Sequence, residues 1–208
     1  THANPGDTTM RTPFKLAAAC LIAAGLAQPA IAQESPTLQK IKASGSIALG
    51  HRESSIPFSY YDDKQQVVGY SHELMLKVVD AVKAELKLPN LTVKLTPVTS
   101  QNRIPLVQNG TVDIECGSTT NNMARQKDVA FAYTTYVEEV RIAVNAKSGI
   151  TGIKDLNGKT IVTTTGTTSV QTLRKNKRAD GLNFKEVMGK DHADSFLMLE
   201  TGRADAFI

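Results

Sequence analysis

Three arginines stand where their chemistry could hold an anion. Arg52 follows the apolar run 46–50. Arg103 follows Ser100-Gln101-Asn102 at an expected helix start. Arg125 comes after the hydroxyl- and amide-rich stretch Gly117-Ser118-Thr119-Thr120-Asn121-Asn122. A guanidinium stays charged and offers five donors in a planar fork that matches a carboxylate. An arginine at the carboxyl end of a sheet strand lies where α/β folds place their ligands. Arg103, in a first helical turn, opposes the helix dipole by ~0.3–1 kcal/mol unless an anion offsets it. Ser100 is expected to cap that helix. The turn Thr163-Thr164-Thr165-Gly166-Thr167-Thr168-Ser169 has the glycine and hydroxyls of an anion nest. It lacks the Gly-Lys-Ser/Thr ending of a P-loop and the Gly-x-Ser-x-Gly of a hydrolase elbow. His192 opens the last expected helix. No nucleophile motif accompanies it and no second histidine stands at metal spacing. The expected site therefore binds a small anion, with no catalytic residue, metal or cofactor.

These turns need a scaffold of alternating strands and helices. Residues 38–42 read as a short helix stopped by Gly45, and 46–50 as a buried strand. Residues 58–70 read as a hairpin with a polar turn. Residues 71–86 form an amphipathic helix with Leu74, Val78, Val79, Val82 and Leu86 on one face. Strands are expected at 91–95, 112–116, 140–146, 159–163, 183–187 and from 205. Helices are expected at 101–108, from 166 to about 176, and from Asp191 to Gly202. Such alternation implies an α/β fold with a mainly parallel sheet. One internal similarity runs through it. Val107-Gln108-Asn109-Gly110-Thr111-Val112-Asp113 and Leu199-Glu200-Thr201-Gly202-Arg203-Ala204-Asp205 share an apolar-x-x-Gly-x-x-Asp pattern. Two lobes of similar design facing a common cleft would produce it.

Composition excludes several classes. The 208 residues are 41% hydrophobic and 21% charged, the balance of a globular protein rather than a disordered one. The net charge of +4 is too slight and too scattered for a nucleic-acid footprint. Without tryptophan, and with 5% aromatic residues, an aromatic stacking platform is not expected. Two cysteines are too few for a disulfide scaffold. Met10, Arg11 and Lys15 precede the apolar run 16–27 and the small-x-small Ala30-Ile31-Ala32. That is a signal peptide at 10–32, cleaved near Ala32, with 1–9 as upstream sequence or artefact. The apolar run is too short to span a ~30 Å hydrocarbon core comfortably. The exported part then holds Cys116 alone, either as a buried free thiol or without a partner that this chain lacks.

The stretches 51–61, 99–110, 115–122 and 190–195 closely resemble those of periplasmic glutamate/aspartate-binding proteins of ABC transporters, within the family 3 solute-binding proteins. Asp155-Leu156-Asn157-Gly158-Lys159 with Gly166-Thr167 resembles the commoner mark of the wider family. The resemblance implies a two-lobe periplasmic-binding-protein fold, type II-like. It divides the chain into lobe 1 at 33–140, a hinge strand region at 141–146 and a partial lobe 2 at 147–208. It implies that Arg52, Ser100, Arg103, Ser118, Thr120 and Arg125 hold ligand carboxylates from lobe 1. Thr165, Thr168 and His192 would contact the ligand from lobe 2 after closure, with the contacting threonine of 165–168 left open. It implies L-glutamate or L-aspartate as ligand, permease subunits of an ABC importer as partners, a periplasmic location and a monomer. Members of this family continue beyond the equivalent of Ile208. The continuation supplies an acidic residue for the ligand ammonium and, in close relatives, a cysteine that could pair with Cys116. The expectation is thus a C-terminal truncation with an incomplete second lobe, exposed apolar surface and weak or no binding. Two other readings share the fold: a sensor or receptor ligand-binding domain, and an enzyme such as a cyclohexadienyl dehydratase-like protein. For the enzyme, His192 and Glu53 are the candidate acid or base.

A dicarboxylic amino acid suits the residues themselves. Three guanidiniums divide between two carboxylates, and hydroxyls fill the remaining lone pairs. An amide analogue would leave a buried arginine underpaired and lose a few kcal/mol.

Overall fold

The computed structural model describes residues 35–208. The signal-peptide expectation and Cys20 lie outside them. Two sheets carry the fold, one wholly parallel and one mainly parallel. The first has the order β5-β1-β6, built from Ser46–His51 (β1), Thr92–Pro97 (β5) and Ile114–Glu115 (β6), all parallel. The second has the order β7-β10-β8-β9. Thr160–Thr164 (β8) lies parallel to Lys185–Gly189 (β9) and Ala206–Phe207 (β10), and Ala143–Val144 (β7) pairs antiparallel with β10. Residues 141–146, expected as a hinge strand, thus contribute an edge strand to the second sheet. A small antiparallel sheet comprises Ser54–Ser55 (β2), Ser59–Tyr61 (β3) and Val67–Val68 (β4). It contains the expected hairpin and one further strand, β2. The described residues also form the α-helices Pro36–Ser44 (α1), Tyr70–Leu86 (α2), Arg103–Gln108 (α3), Thr168–Ala179 (α4) and His192–Glu200 (α5).

Each large sheet has its own core. Ile47 and Leu49 of β1 pack with Ile41 of α1 and with Met75, Val79 and Leu86 of α2. Ile161 of β8 packs with Leu173 of α4, Leu156, Phe184 and Ala206. The buried stripe of α2 is rotated from the expected one. Met75 is buried and Val78 is 44% exposed. The Met75–Val79–Leu86 line faces β1, whereas Leu74 and Val78 line an open apolar groove of about 500 Å³ with Ile104, Val107 and Phe131. Apolar residues around it are widely exposed, Tyr133 at 98% and Val137 at 85%.

The repeated Gly-x-x-Asp pattern has a structural reason. Gly110 and Gly202 adopt φ of +75° and +72°, the left-handed conformation that glycine tolerates best when it ends a helix. Three residues on, each aspartate clamps the central strand of its sheet. Asp113 N donates to Ala48 O at 2.8 Å, and its Oδ2 accepts from Ala48 N at 2.9 Å. Asp205 N donates to Thr160 O at 2.8 Å, and its Oδ2 accepts from Thr160 N at 2.7 Å. The carboxylate thus extends the ladder where the next strand begins. Lys40 Nζ adds an ion pair to Asp113 Oδ1 at 2.7 Å. Replacing Asp113 by alanine orphans a half-buried main-chain N–H. The expected cost is about 1–3 kcal/mol, read as a lower urea midpoint with unchanged slope.

Candidate functional site

The ends of β1 and β6 and the start of α3 bring the first polar group together. Arg52 directly follows β1 and is 1% exposed. Its N donates to Ser59 Oγ at 2.9 Å, which ties the strand end to the hairpin. Its Nη1 donates to Ser118 Oγ at 3.2 Å. Gly117 makes that path possible. A Cβ there would lie 2.7 Å from Arg52 Cγ and 2.8 Å from Glu115 Oε1.

Arg103 is the first residue of α3 and is 2% exposed. Ser100 does not cap this helix. Thr99 and Asn102 exchange bonds instead: Thr99 N donates to Asn102 Oδ1 at 2.7 Å and Asn102 N to Thr99 Oγ1 at 3.2 Å. Ser100 is left buried, its Oγ without a partner among the described residues. The same is true of Arg52 Nε and Nη2 and of Arg103 Nε and Nη1. Buried polar atoms are nearly always paired, and an orphaned charged donor is costlier still. These five atoms are buried polar groups still in need of partners.

Arg125 begins a 3-10 turn at Arg125–Lys127. Its Nη1 donates to Thr120 O at 2.9 Å and its Nη2 to Gly166 O at 3.0 Å. It thereby links the loop after β6 to the turn after β8. Thr120 Oγ1 lies 3.5 Å from Thr168 Oγ1 at the start of α4. Gly166, with φ of +81°, approaches so closely that a Cβ would sit 2.6 Å from Gln101 Cα and 2.7 Å from Gln101 N. Thr165 Oγ1 donates to Gly189 O at 3.1 Å, which leaves only its lone pairs free. His192 Nδ1 lies 3.1 Å from Ser55 Oγ, and Asp191 caps α5 by accepting from Asp194 N at 2.9 Å. Among the described residues, polar contacts thus link the turns and helices of the second sheet to the preceding half of the chain at three places: Arg125–Gly166, Thr120–Thr168 and Ser55–His192.

Burial dominates the electrostatics of the three arginines. Burial lowers the Arg103 pKa to about 10, Glu115 opposes the shift, and the charges of Arg52 and Arg125 reinforce it. Burial also lowers Arg52, against Glu115, Asp191 and Glu53, and lowers Arg125 against Glu115. All three stay protonated at neutral pH. Among the described residues none of them forms an ion pair within 4.0 Å. Glu115 is the one carboxylate whose charge acts on all three, and its Oε1 is buried and unpartnered while Oε2 accepts from Thr119 Oγ1 at 2.6 Å. Glu115, Gly117 and Ser55 were not among the residues read as a site from sequence. Glu115 sits immediately before the polar loop, and an acidic residue beside an expected arginine cluster was the available signal.

His192 is pushed down to about 4, first by burial and then by the charges of Arg52 and Arg103, with Asp191 opposing. Below its ordinary pKa of 6.5 the unfolded chain takes up a proton at this residue and the folded chain does not. Ligand-free stability is therefore complete above pH 6.5 and falls as pH drops towards 4, by roughly 3 kcal/mol at most. His192→Gln should remove that share of the pH dependence, read as the difference between the two stability–pH curves.

Solved structures place this architecture among two-lobe amino-acid receptors. The cysteine-binding protein from Campylobacter jejuni superposes with a TM-score of 0.68 at 26% identity, covering 82% of this chain and 66% of that one. The chain belongs to the bacterial extracellular solute-binding proteins, family 3, whose model matches residues 47–206. It is 49% identical over 201 residues to the glutamate/aspartate import solute-binding protein of Escherichia coli, and 50% identical over 201 residues to the L-glutamate/L-aspartate-binding protein of Pseudomonas aeruginosa. Each alignment covers 96% of this chain and 67% of the relative, so the chain spans about two thirds of their length.

Proposed function

We propose that this chain is the greater part of an extracytoplasmic receptor that captures glutamate or aspartate between two lobes and delivers it to an ABC importer. The observation that carries this reading is the pair Arg52 and Arg103, both buried, with four guanidinium nitrogens that meet no acceptor among the described residues, the charge of Arg52 acting on Arg103. Two fixed, desolvated cations next to a third, Arg125, call for a ligand with more than one negative charge. The likeness to relatives named for glutamate and aspartate supports the same class.

In this reading lobe 1 spans 33–140, the hinge strand region 141–146 and the second lobe begins at 147. Arg52, Ser100, Arg103, Ser118, Thr120 and Arg125 grip the carboxylates from lobe 1. Thr165, Thr168 and His192 complete the grip from lobe 2. Thr168 is the better donor of the two threonines, because the Thr165 proton is committed to Gly189 O. The receptor works in the periplasm as a monomer whose partners are the importer's permease subunits. It releases its ligand unchanged, and no residue is catalytic.

Thermal denaturation of the whole protein with single amino acids tests the reading. A ligand that binds only the folded state raises the midpoint in proportion to RT ln(1 + [L]/Kd). Glutamate and aspartate should raise it; glutamine, asparagine and cysteine should not. A rise with cysteine or an amide and none with the two acids would replace the ligand class.

A further inference from the structure

The bond between Ser55 Oγ and His192 Nδ1 joins β2 of the small antiparallel sheet to the first residue of α5, which packs on the second large sheet. Ser55 is 1% exposed, and among the described residues its hydroxyl has this single partner. A hydroxyl has one proton and two lone pairs. In a buried setting an unused lone pair costs little, but an unused donor bears the full desolvation penalty. The Ser55 proton therefore points at Nδ1, which makes Nδ1 the acceptor. Burial and the positive charges of Arg52 and Arg103 keep the ring neutral, so its one proton resides on Nε2. Nε2 has no protein partner among the described residues. In this tautomer it donates to a carboxylate; in the other it would turn a lone pair towards one.

We propose that Ser55 is a positioning residue for anion capture: by donating to His192 Nδ1 it holds the imidazole as an Nε2–H donor for the ligand and fastens the two sides of the cleft. The proposal rests on the reading that the cleft takes a dicarboxylic amino acid. It gives β2, a two-residue strand outside the main sheets, a reason to exist. β2 brings a hydroxyl to the opposite lobe's histidine while Arg52, two residues before it, faces the same region.

Nitrogen NMR on the whole protein with 15N-labelled histidine reads the tautomer, the His192 signals being identified by their loss in His192→Gln. In the wild type, with and without glutamate, Nδ1 should be unprotonated and Nε2 protonated. In Ser55→Ala the ring should become a tautomer mixture, and glutamate affinity should fall about three- to tenfold. Ser55→Thr, which keeps the hydroxyl, should restore both. A wild-type ring protonated on Nδ1, or a Ser55→Ala protein with unchanged tautomer and affinity, overturns the proposal. If the wild type binds neither acid, the functional reading fails; the tautomer in the ligand-free protein still decides whether Ser55 orients His192.

Discussion

Arg103→Ala should weaken glutamate or aspartate binding by about 30-fold or more, the loss expected when one partner of a desolvated charge pair is removed. Arg103 is 2% exposed, and its Nε and Nη1 meet no acceptor among the described residues. They point to different sides of the guanidinium, so each would donate to a separate ligand oxygen, and alanine offers neither donor. Arg103→Lys should recover little, because an ammonium on a flexible stem cannot reproduce the planar fork. The effect on folding should be much smaller. The guanidinium is disfavoured by burial and by the charges of Arg52 and Arg125, so removing it relieves a cost that opposes the loss of its packed stem. Titration calorimetry should therefore show the affinity collapse while the ligand-free thermal midpoint shifts little. An unchanged dissociation constant would remove Arg103 from the site.

Gly166→Ala should impair binding by a different route, closure. The residue holds φ of +81°, where alanine is strained by roughly 1–2 kcal/mol. Its new Cβ would also meet Gln101 backbone atoms at 2.6–2.7 Å, a contact with main chain that no rotamer change relieves. The turn after β8 must then stand away from the start of α3. That shift lengthens the Arg125 Nη2–Gly166 O bond, now 3.0 Å, and the Thr120–Thr168 contact. The expected result is a loss of binding of at least about tenfold, since the strain and the lost hydrogen bond each weigh on the closed form. Small-angle scattering with saturating ligand should show a more open particle than the wild type. Wild-type affinity in Gly166→Ala would mean that these two turns do not meet in the bound state.

The order of strands and helices was legible because the hydrophobic periods change cleanly between segments. The Gly-x-x-Asp repeat was legible too, and its reason is the aspartate that clamps Ala48 in one sheet and Thr160 in the other. Three features were not. Ser100 looks like a cap, yet Thr99 and Asn102 compete for the same amides and win, which frees the Ser100 hydroxyl. Periodicity alone could not choose between Met75 and Val78 for the buried stripe of α2, because both lie beside Val79 and only the position of β1 decides. Side-chain pairs far apart in sequence, such as Ser55 with His192, have no local signal at all. The arginines at 52, 103 and 125, at strand ends and helix starts, point to one small-anion site on chemistry alone, but their division over two ligand carboxylates came through the family resemblance. Spacing along a chain does not encode it.

Buried guanidiniums should select a doubly acidic guest. Competitive titration calorimetry on the whole protein, with glutamate, aspartate, glutamine and asparagine under one buffer, measures that selection. Either acid should bind at least about 100-fold more tightly than its amide, since the amide leaves a buried charge underpaired. Equal affinity for an acid and its amide would contradict the account.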